Sequence, residues 1–338
     1  MRNLLEKYSN MIGVSGNEER ITLEIINDFV DDFSYGADSM GNIIFVSDSV
    51  ITDGNKSIMV AAHMDEIGIM VKYIDDNGFI YFEGIGGWNW PTLVSQQMIF
   101  DNGVIGIVGT RPPHGMSDEE RKRPIESKNM FIDVGASNEK EVEKLGISIG
   151  STAVINTKFQ TLSNGFVTGK AFDNRVGVVT MIEVMKRIHT DSIVYAVGTV
   201  QEEVGLKGAK VVSERLKPDL AIVVDTCLSG DHPGFEWKEA GSATGNVSIT
   251  VADGAGRGIL VPKHIIDYVK VVADEYNIPI DFSVSNGGTT DGMATHGNGV
   301  PTIVVSIPTR YIHSPVEVLN MKDVENAVVL ITKLIERW

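Results

Sequence analysis

Ser57-Ile-Met-Val-Ala-Ala-His63-Met-Asp65 is a short apolar run that ends abruptly on an imidazole and a carboxylate. A continuous apolar run of this length, bounded by turn residues (Asp53-Gly54-Asn55), reads as a strand buried on both faces. Three more runs end the same way. Ile193–Val200 passes through Gln201 into Glu202-Glu203, Leu220–Val224 runs into Asp225, and Thr302–Ile307 leads through a short loop to His313. Open α/β sheets bind ligands at the carboxyl ends of their strands. Four strand ends, each with a metal-competent side chain, therefore point to one site. A fifth acid, Asp173, lies in Gly169-Lys-Ala-Phe-Asp-Asn-Arg175, the loop that opens a helix.

Each of these residues has an ordinary reading of its own. A strand-end histidine can be structural, an aspartate at a helix start can be a cap, and Glu202-Glu203 can be a solvated turn. Their joint occurrence carries more weight, because desolvating so many carboxylates at one sheet edge is costly without cations. Mixed imidazole and carboxylate donors suit zinc, cobalt or manganese. Two histidines and three carboxylates exceed one tetrahedral ion and suit two ions sharing a bridging carboxylate. Along an extended strand i and i+2 share a face, so Asp65 can orient the His63 imidazole. Glu202 and Glu203 should diverge: one can bind metal, and the other can stand free as general base. Spacing does not decide which. Cys227, two residues past Asp225, would share its side, but as the single cysteine it makes a poor thiolate site.

Outward from these strands, Ile21, Ile25, Ile26 and Phe29 recur at helical spacing behind a start signal, Ser15 with Glu18 or Asn17 as cap. Asn42–Val46 reads as a strand. From Gly68 to Asn164 short alternating runs such as Ile69–Ile74 and Phe79–Phe82 alternate with Asp-Asn-Gly turns, the pattern of β-hairpins. From Phe166 the pattern becomes α/β, with helices expected over Val176–Ile188, Pro262–Tyr276 and Asp323–Arg337. The fold class is thus α/β, with a mixed central sheet covered by helices and a small β-rich insertion. Residues 1–66 and 164–338 form the main domain, and residues 67–163 the insert. Trp88 and Trp90 are expected to pack inside it. Arg111-Pro-Pro-His114, followed by Ser117–Arg123, reads as a charged surface loop.

The chain has 338 residues, of which 43% are hydrophobic, enough to bury a large core. Its formal net charge is -16. That balance disfavours nucleic acid and anionic membrane, which require clustered Lys and Arg. One cysteine permits no intrachain disulfide, and no stretch approaches a spanning helix, so a cytoplasmic protein is expected. Gly254-Ala-Gly-Arg-Gly258 lacks the Lys-Ser/Thr ending of a phosphate loop.

The segments Ala61-Ala-His-Met-Asp-Glu-Ile-Gly68, Ala171-Phe-Asp-Asn-Arg175, Val200-Gln-Glu-Glu-Val-Gly-Leu-Lys-Gly208 and Arg310-Tyr-Ile-His-Ser314 resemble those of the M42 dinuclear aminopeptidases. Gly13-Val-Ser-Gly16, Arg111-Pro-Pro-His114 and Gly287-Gly-Thr-Thr-Asp291-Gly look like further signatures, so the likeness runs through nearly the whole chain. The resemblance implies that His63 and Asp225 hold one metal, Glu203 and His313 the other, and that Asp173 bridges them. It implies that Asp65 orients His63 and that Glu202 is the catalytic base. It further implies a cis peptide after Asp173. Two divalent ions are expected, zinc first, with cobalt or manganese as alternatives. The expected substrates are peptides with a free N-terminus. Asp291 and Arg310 are the candidates for reading substrate. The insert is expected to serve dimerisation and as a lid, within a homo-oligomer built from dimers, up to a tetrahedral dodecamer. The rival readings are a glycoside hydrolase of endoglucanase type, a non-catalytic assembly protein, and a related metallopeptidase or deacylase of the wider co-catalytic zinc clan.

Overall fold

Strands from the first and last parts of the chain meet in one sheet. The computed structural model describes residues 1–29, 33–47 and 55–338, so the Asp53-Gly54 part of the predicted turn lies outside the described residues. Among them, eight strands line up in the order Ser34–Ala37, Ile43–Val46, Ile193–Thr199, Ser57–His63, Leu220–Leu228, Thr302–Thr309, Val247–Ala252 and Ile280–Val284. The four middle strands that carry the predicted ligands are mutually parallel. Antiparallel partners flank them, Ile43–Val46 on one side and Val247–Ala252 on the other. The sheet is therefore mixed, and its parallel centre brings the predicted strand ends to one edge. Register sharpens this. Thr199 pairs with His63 and Val223 with Ala61, which sets Asp225 level with His63 two residues further on.

The helix Phe172–Met185 packs on the two central strands, with Arg2–Ser9 and Met321–Arg337 against it. It has no polar stripe because it is buried nearly all round. It starts four residues before the expected Val176. The closing helix also starts early, at Met321, because the Asn320 side chain accepts from Lys322 N. Pro262 precedes Lys263–Glu275 as its cap. Ser15 and Asn17, expected at a helix start, instead donate to Asp65 and to Thr152 Oγ1.

The insert is a closed barrel. Its strands run in the order Gly68–Ile74, Ile80–Ile85, Met130–Asp133, Ile105–Thr110, Gln97–Phe100 and Thr152–Ile155. Ile69, Ile80, Met98, Phe100 and Ile132 fill it, as a core separate from that of the main sheet. Trp88 and Trp90 are half-buried against this core, with stacked rings 6.2 Å apart. A small antiparallel sheet joins Gln160–Thr161, Phe166–Gly169 and Glu317–Asn320. No helix among the described residues is long and apolar enough to cross a membrane.

Candidate metal centre

The parallel edge gathers His63, Asp173, Glu202, Glu203, Asp225 and His313 at one end of a cavity of about 1030 Å³. Asp173 is central. Its Oδ1 lies 3.2 Å from His63 Nε2, and its Oδ2 lies 3.4 Å from His313 Nε2. Asp225 Oδ1 stands 3.8 Å from His63 Nε2 and Glu203 Oε1 3.1 Å from His313 Nε2. Glu202 Oε2 is 3.9 Å from His63 Nε2, so the adjacent glutamates diverge toward different histidines. Three overlapping sets bring donor atoms within 4.8 Å of one another: His63–Asp173–Asp225, His63–Glu202–Glu203 and Asp173–Glu203–His313.

Local backbone holds these side chains in place. The Asp173-Asn174 peptide is cis, and Ala171, Gln201 and His313 take left-handed conformations at φ 54°, 55° and 58°. Asp65, fully buried, accepts the backbone N–H of Glu202 at 3.1 Å and of Glu203 at 3.2 Å, and the Ser15 hydroxyl at 2.6 Å. Its Oδ1 also lies 3.4 Å from His63 Nδ1. Glu18 accepts Gln201 N at 3.0 Å. Gly87 of the insert approaches the other histidine: a Cβ there would lie 3.1 Å from His313 Nδ1.

Burial by itself would depress the His63 imidazole, but the Glu202 charge and the hydrogen bonds with Asp173 and Asp65 hold its pKa well above the usual value. His313 behaves likewise. Burial works against its charge, yet Asp173 and Glu203 lift it to about 11. Desolvation, with mutual repulsion, pushes Glu202 and Asp225 far up the scale. Burial also opposes the Asp173 charge, but the two histidines draw it below the carboxylate range. Cys227 lines the cavity as a neutral thiol, pushed up to about 11 by burial.

The two substrate-reading candidates are not on the cavity wall. Asp291 is 1% exposed and accepts from the Thr199 hydroxyl; burial lifts its pKa to about 6. The Arg310 guanidinium is held by both oxygens of Asp231, at 2.8 and 2.7 Å, and lies over the Phe166 ring. His114 is exposed in the barrel loop, apart from the cluster. The cavity is also lined by Thr250, Asp253, Ser283, Ser285 and Thr289, with Lys238 and Glu239.

Sequence reasoning missed a buried ionic triad beside the site. Glu66 lies 2.7 Å from Lys170 Nζ and 3.3 Å from Arg175 Nη2, and all three side chains are at most 5% exposed. It also missed Glu18 and Glu317 as buried acceptors. Glu66 directly follows Asp65, but nothing in the spacing pairs it with residues 104 and 109 positions further on.

The chain superposes on the TET aminopeptidase of the marine archaeon Thaumarchaeota archaeon SCGC AB-539-E09 with a TM-score of 0.94 and 34% identity, covering 99% of this chain and 96% of that one. A Pyrococcus horikoshii TET1 peptidase, which can assemble into a tetrahedron or a large octahedral shell, matches at a TM-score of 0.87 and 32% identity over 99% of both chains. The lysyl aminopeptidase of Pyrococcus furiosus is 32% identical over 98% of this chain and 96% of its own length. Residues 41–330 match the family described as M42 glutamyl aminopeptidase, and the chain belongs to that family.

Proposed function

We propose that the chain removes the first residue of peptides with a free N-terminus, using two divalent ions held at this cluster. His63 and Asp225 hold one ion, Glu203 and His313 the other, and Asp173 bridges them. One observation carries this reading: the two oxygens of Asp173 each face a different imidazole, at 3.2 and 3.4 Å. The donor set fits such ions. Buried carboxylates raised by desolvation and by one another need cations beyond two imidazoles to stay charged. Nitrogen and carboxylate oxygen donors favour zinc, then cobalt or manganese. When bound, the ions supply Lewis acidity to the scissile carbonyl and acidify a water.

The chain's own residues do the rest. Glu202, with no metal to hold in this assignment, takes the proton from the attacking water and passes it to the leaving amine as the C–N bond breaks. Asp65 keeps His63 oriented and fixes the Glu202-Glu203 backbone. Residues 67–163 act as dimerisation and lid element in a cytoplasmic homo-oligomer. The assemblies of the Pyrococcus horikoshii relative support this, as do the exposed Tyr73, Ile105 and Ile107 on the barrel. A sugar-cleaving reading leaves the paired imidazoles without a task and wants aromatic platforms. Among the described cavity-lining residues Phe235 is the single aromatic.

Metal analysis of purified protein, paired with a panel of aminoacyl-p-nitroanilides and their N-acetyl counterparts, tests the reading. Two ions per chain and cleavage of the free-amine series are expected. Full turnover after verified metal removal, or equal cleavage of the N-acetyl series, sinks it.

A further inference from the structure

We infer that Glu317 is a positioning residue that locks the bridging aspartate and the second histidine of the site to each other. This rests on the ligand assignment proposed above. Glu317 opens the strand Glu317–Asn320, which pairs antiparallel with Phe166–Gly169, Gly169 standing opposite Glu317. That pairing sets two chain segments side by side. One leads from Gly169 into Asp173; the other descends from His313 into Glu317. The Glu317 carboxylate ties them. Its Oε2 accepts the backbone N–H of Asp173 at 3.0 Å, and its Oε1 accepts the backbone N–H of His313 at 3.1 Å.

The side chain is 2% exposed, and among the described residues it makes no ion pair. A buried carboxylate in that state is costly to keep for fold stability alone. Both anchored segments also depart from regular backbone, Ala171 and His313 being left-handed at φ 54° and 58°. Each oxygen serves one segment, so the carboxylate fixes the distance between them. Asp173 Oδ2 and His313 Nε2, the two atoms that converge at 3.4 Å, inherit that distance. Glu317 meets these two residues at their backbone N–H groups, not at their side-chain donor atoms, so it acts only by holding them.

Glu317→Gln tests this. The amide keeps one acceptor but turns an NH₂ group toward the other N–H. Chelator-treated wild type and variant are titrated with Zn²⁺ against a chromophoric competitor, and the Co²⁺-loaded forms are compared by visible absorption. The expected result is uneven: the ion assigned to Glu203 and His313 binds about 10–100-fold more weakly, the ion assigned to His63 and Asp225 loses clearly less, and the cobalt spectrum changes. A variant that binds both ions like wild type, with an unchanged spectrum, overturns the inference. So does an equal loss at both ions together with a lowered melting temperature of the metal-free protein, which is what a merely structural role produces. A wild type that binds fewer than two ions refutes the two-ion reading instead, and this inference with it. If Glu317→Gln does not fold, Glu317→Asp keeps the charge and draws both oxygens back by one methylene. The same uneven loss is expected, and normal binding overturns the proposal.

Discussion

Replacing Glu66 with glutamine removes the counter-charge of two buried cations while keeping a side-chain oxygen for Gly13 N, which donates at 3.1 Å. The two cations respond differently. Lys170 already sits at a pKa of about 8, drawn down from 10.5 first by burial and then held from falling further by the Glu66 charge. Keeping it charged at neutral pH costs about 3 kcal/mol relative to the unfolded chain. Without Glu66 it sheds its proton, and full neutralisation costs about 5 kcal/mol, an increment of about 1–2 kcal/mol. Arg175 has no such exit, because a guanidinium does not deprotonate. Its charge then keeps only the more distant Asp65 and Glu18, which takes the total toward the range of about 3–5 kcal/mol that follows breaking a buried pair.

The sign of the pH dependence separates the two contributions. The folded pKa of Lys170 lies below its unfolded value, so the unfolded chain binds more protons between pH 8 and 10.5, and stability from this group rises with pH across that window. In Glu66→Gln the same rise occurs at lower pH. The deficit of the variant therefore shrinks by about 1–2 kcal/mol between pH 7 and pH 9, and the Arg175 part remains. Urea unfolding of chelator-treated wild type and variant, followed by far-UV circular dichroism and tryptophan fluorescence, measures both quantities. A loss under about 1 kcal/mol at pH 7, or the same loss at both pH values, refutes the assignment of Glu66 as main counter-ion of the triad.

Glu202→Gln is expected to keep its metal content and to lose about 10²–10⁴-fold in kcat on an aminoacyl-p-nitroanilide; retained turnover rules out Glu202 as the base. Exhaustive chelation should abolish activity and lower the melting temperature, since an ion at 1,000 times its Kd contributes about 4 kcal/mol; an unchanged melting curve with verified metal loss contradicts the site. Gly87→Ala places a methyl 3.1 Å from His313 Nδ1 and should weaken metal binding without changing the metal-free melting temperature, which metal titration and scanning calorimetry read separately.

The clustering of these imidazoles and carboxylates was legible in the sequence because strand chemistry is local. His63, Glu202, Asp225 and His313 each end an apolar run or follow it closely, and a parallel sheet brings such ends together whatever the loops do. The barrel was legible as strands and turns. Its closure was not, because closure depends on pairings such as Ile80 with Ile132 and Met98 with Ile155, more than fifty residues apart. Ser15 misled for a related reason. A serine before an apolar helix reads as a cap, yet its hydroxyl is taken by Asp65, fifty residues away in sequence. Partners distant in sequence were equally hidden at Asp291 and Arg310: Asp291, at the start of the helix Asp291–Gly297, accepts from the Thr199 hydroxyl, and Arg310 pairs with Asp231.

What no local pattern could show is the set of acids that hold the loops rather than the ligands. Asp65 accepts the N–H groups of Glu202 and Glu203, Glu18 that of Gln201, and Glu317 those of Asp173 and His313. Their common feature is the conformation they support. Left-handed backbone at a non-glycine residue costs about 1–3 kcal/mol, and Gln201, His313 and Ala171 all carry it. A hydrogen bond to a charged acceptor contributes about 1.5–3 kcal/mol, so one carboxylate per strained segment is of the right size to offset it. Glycine at these positions would remove the strain, but it would also free the loop to move and carry the ligand with it. The site instead uses ordinary residues in costly conformations: Gln201 and His313 each donate an N–H to a buried acid outside the cluster, and the Ala171 segment is held two residues on, at Asp173. A carboxylate near this edge can thus join the imidazole cluster or clamp backbone, and only the fold tells the two apart.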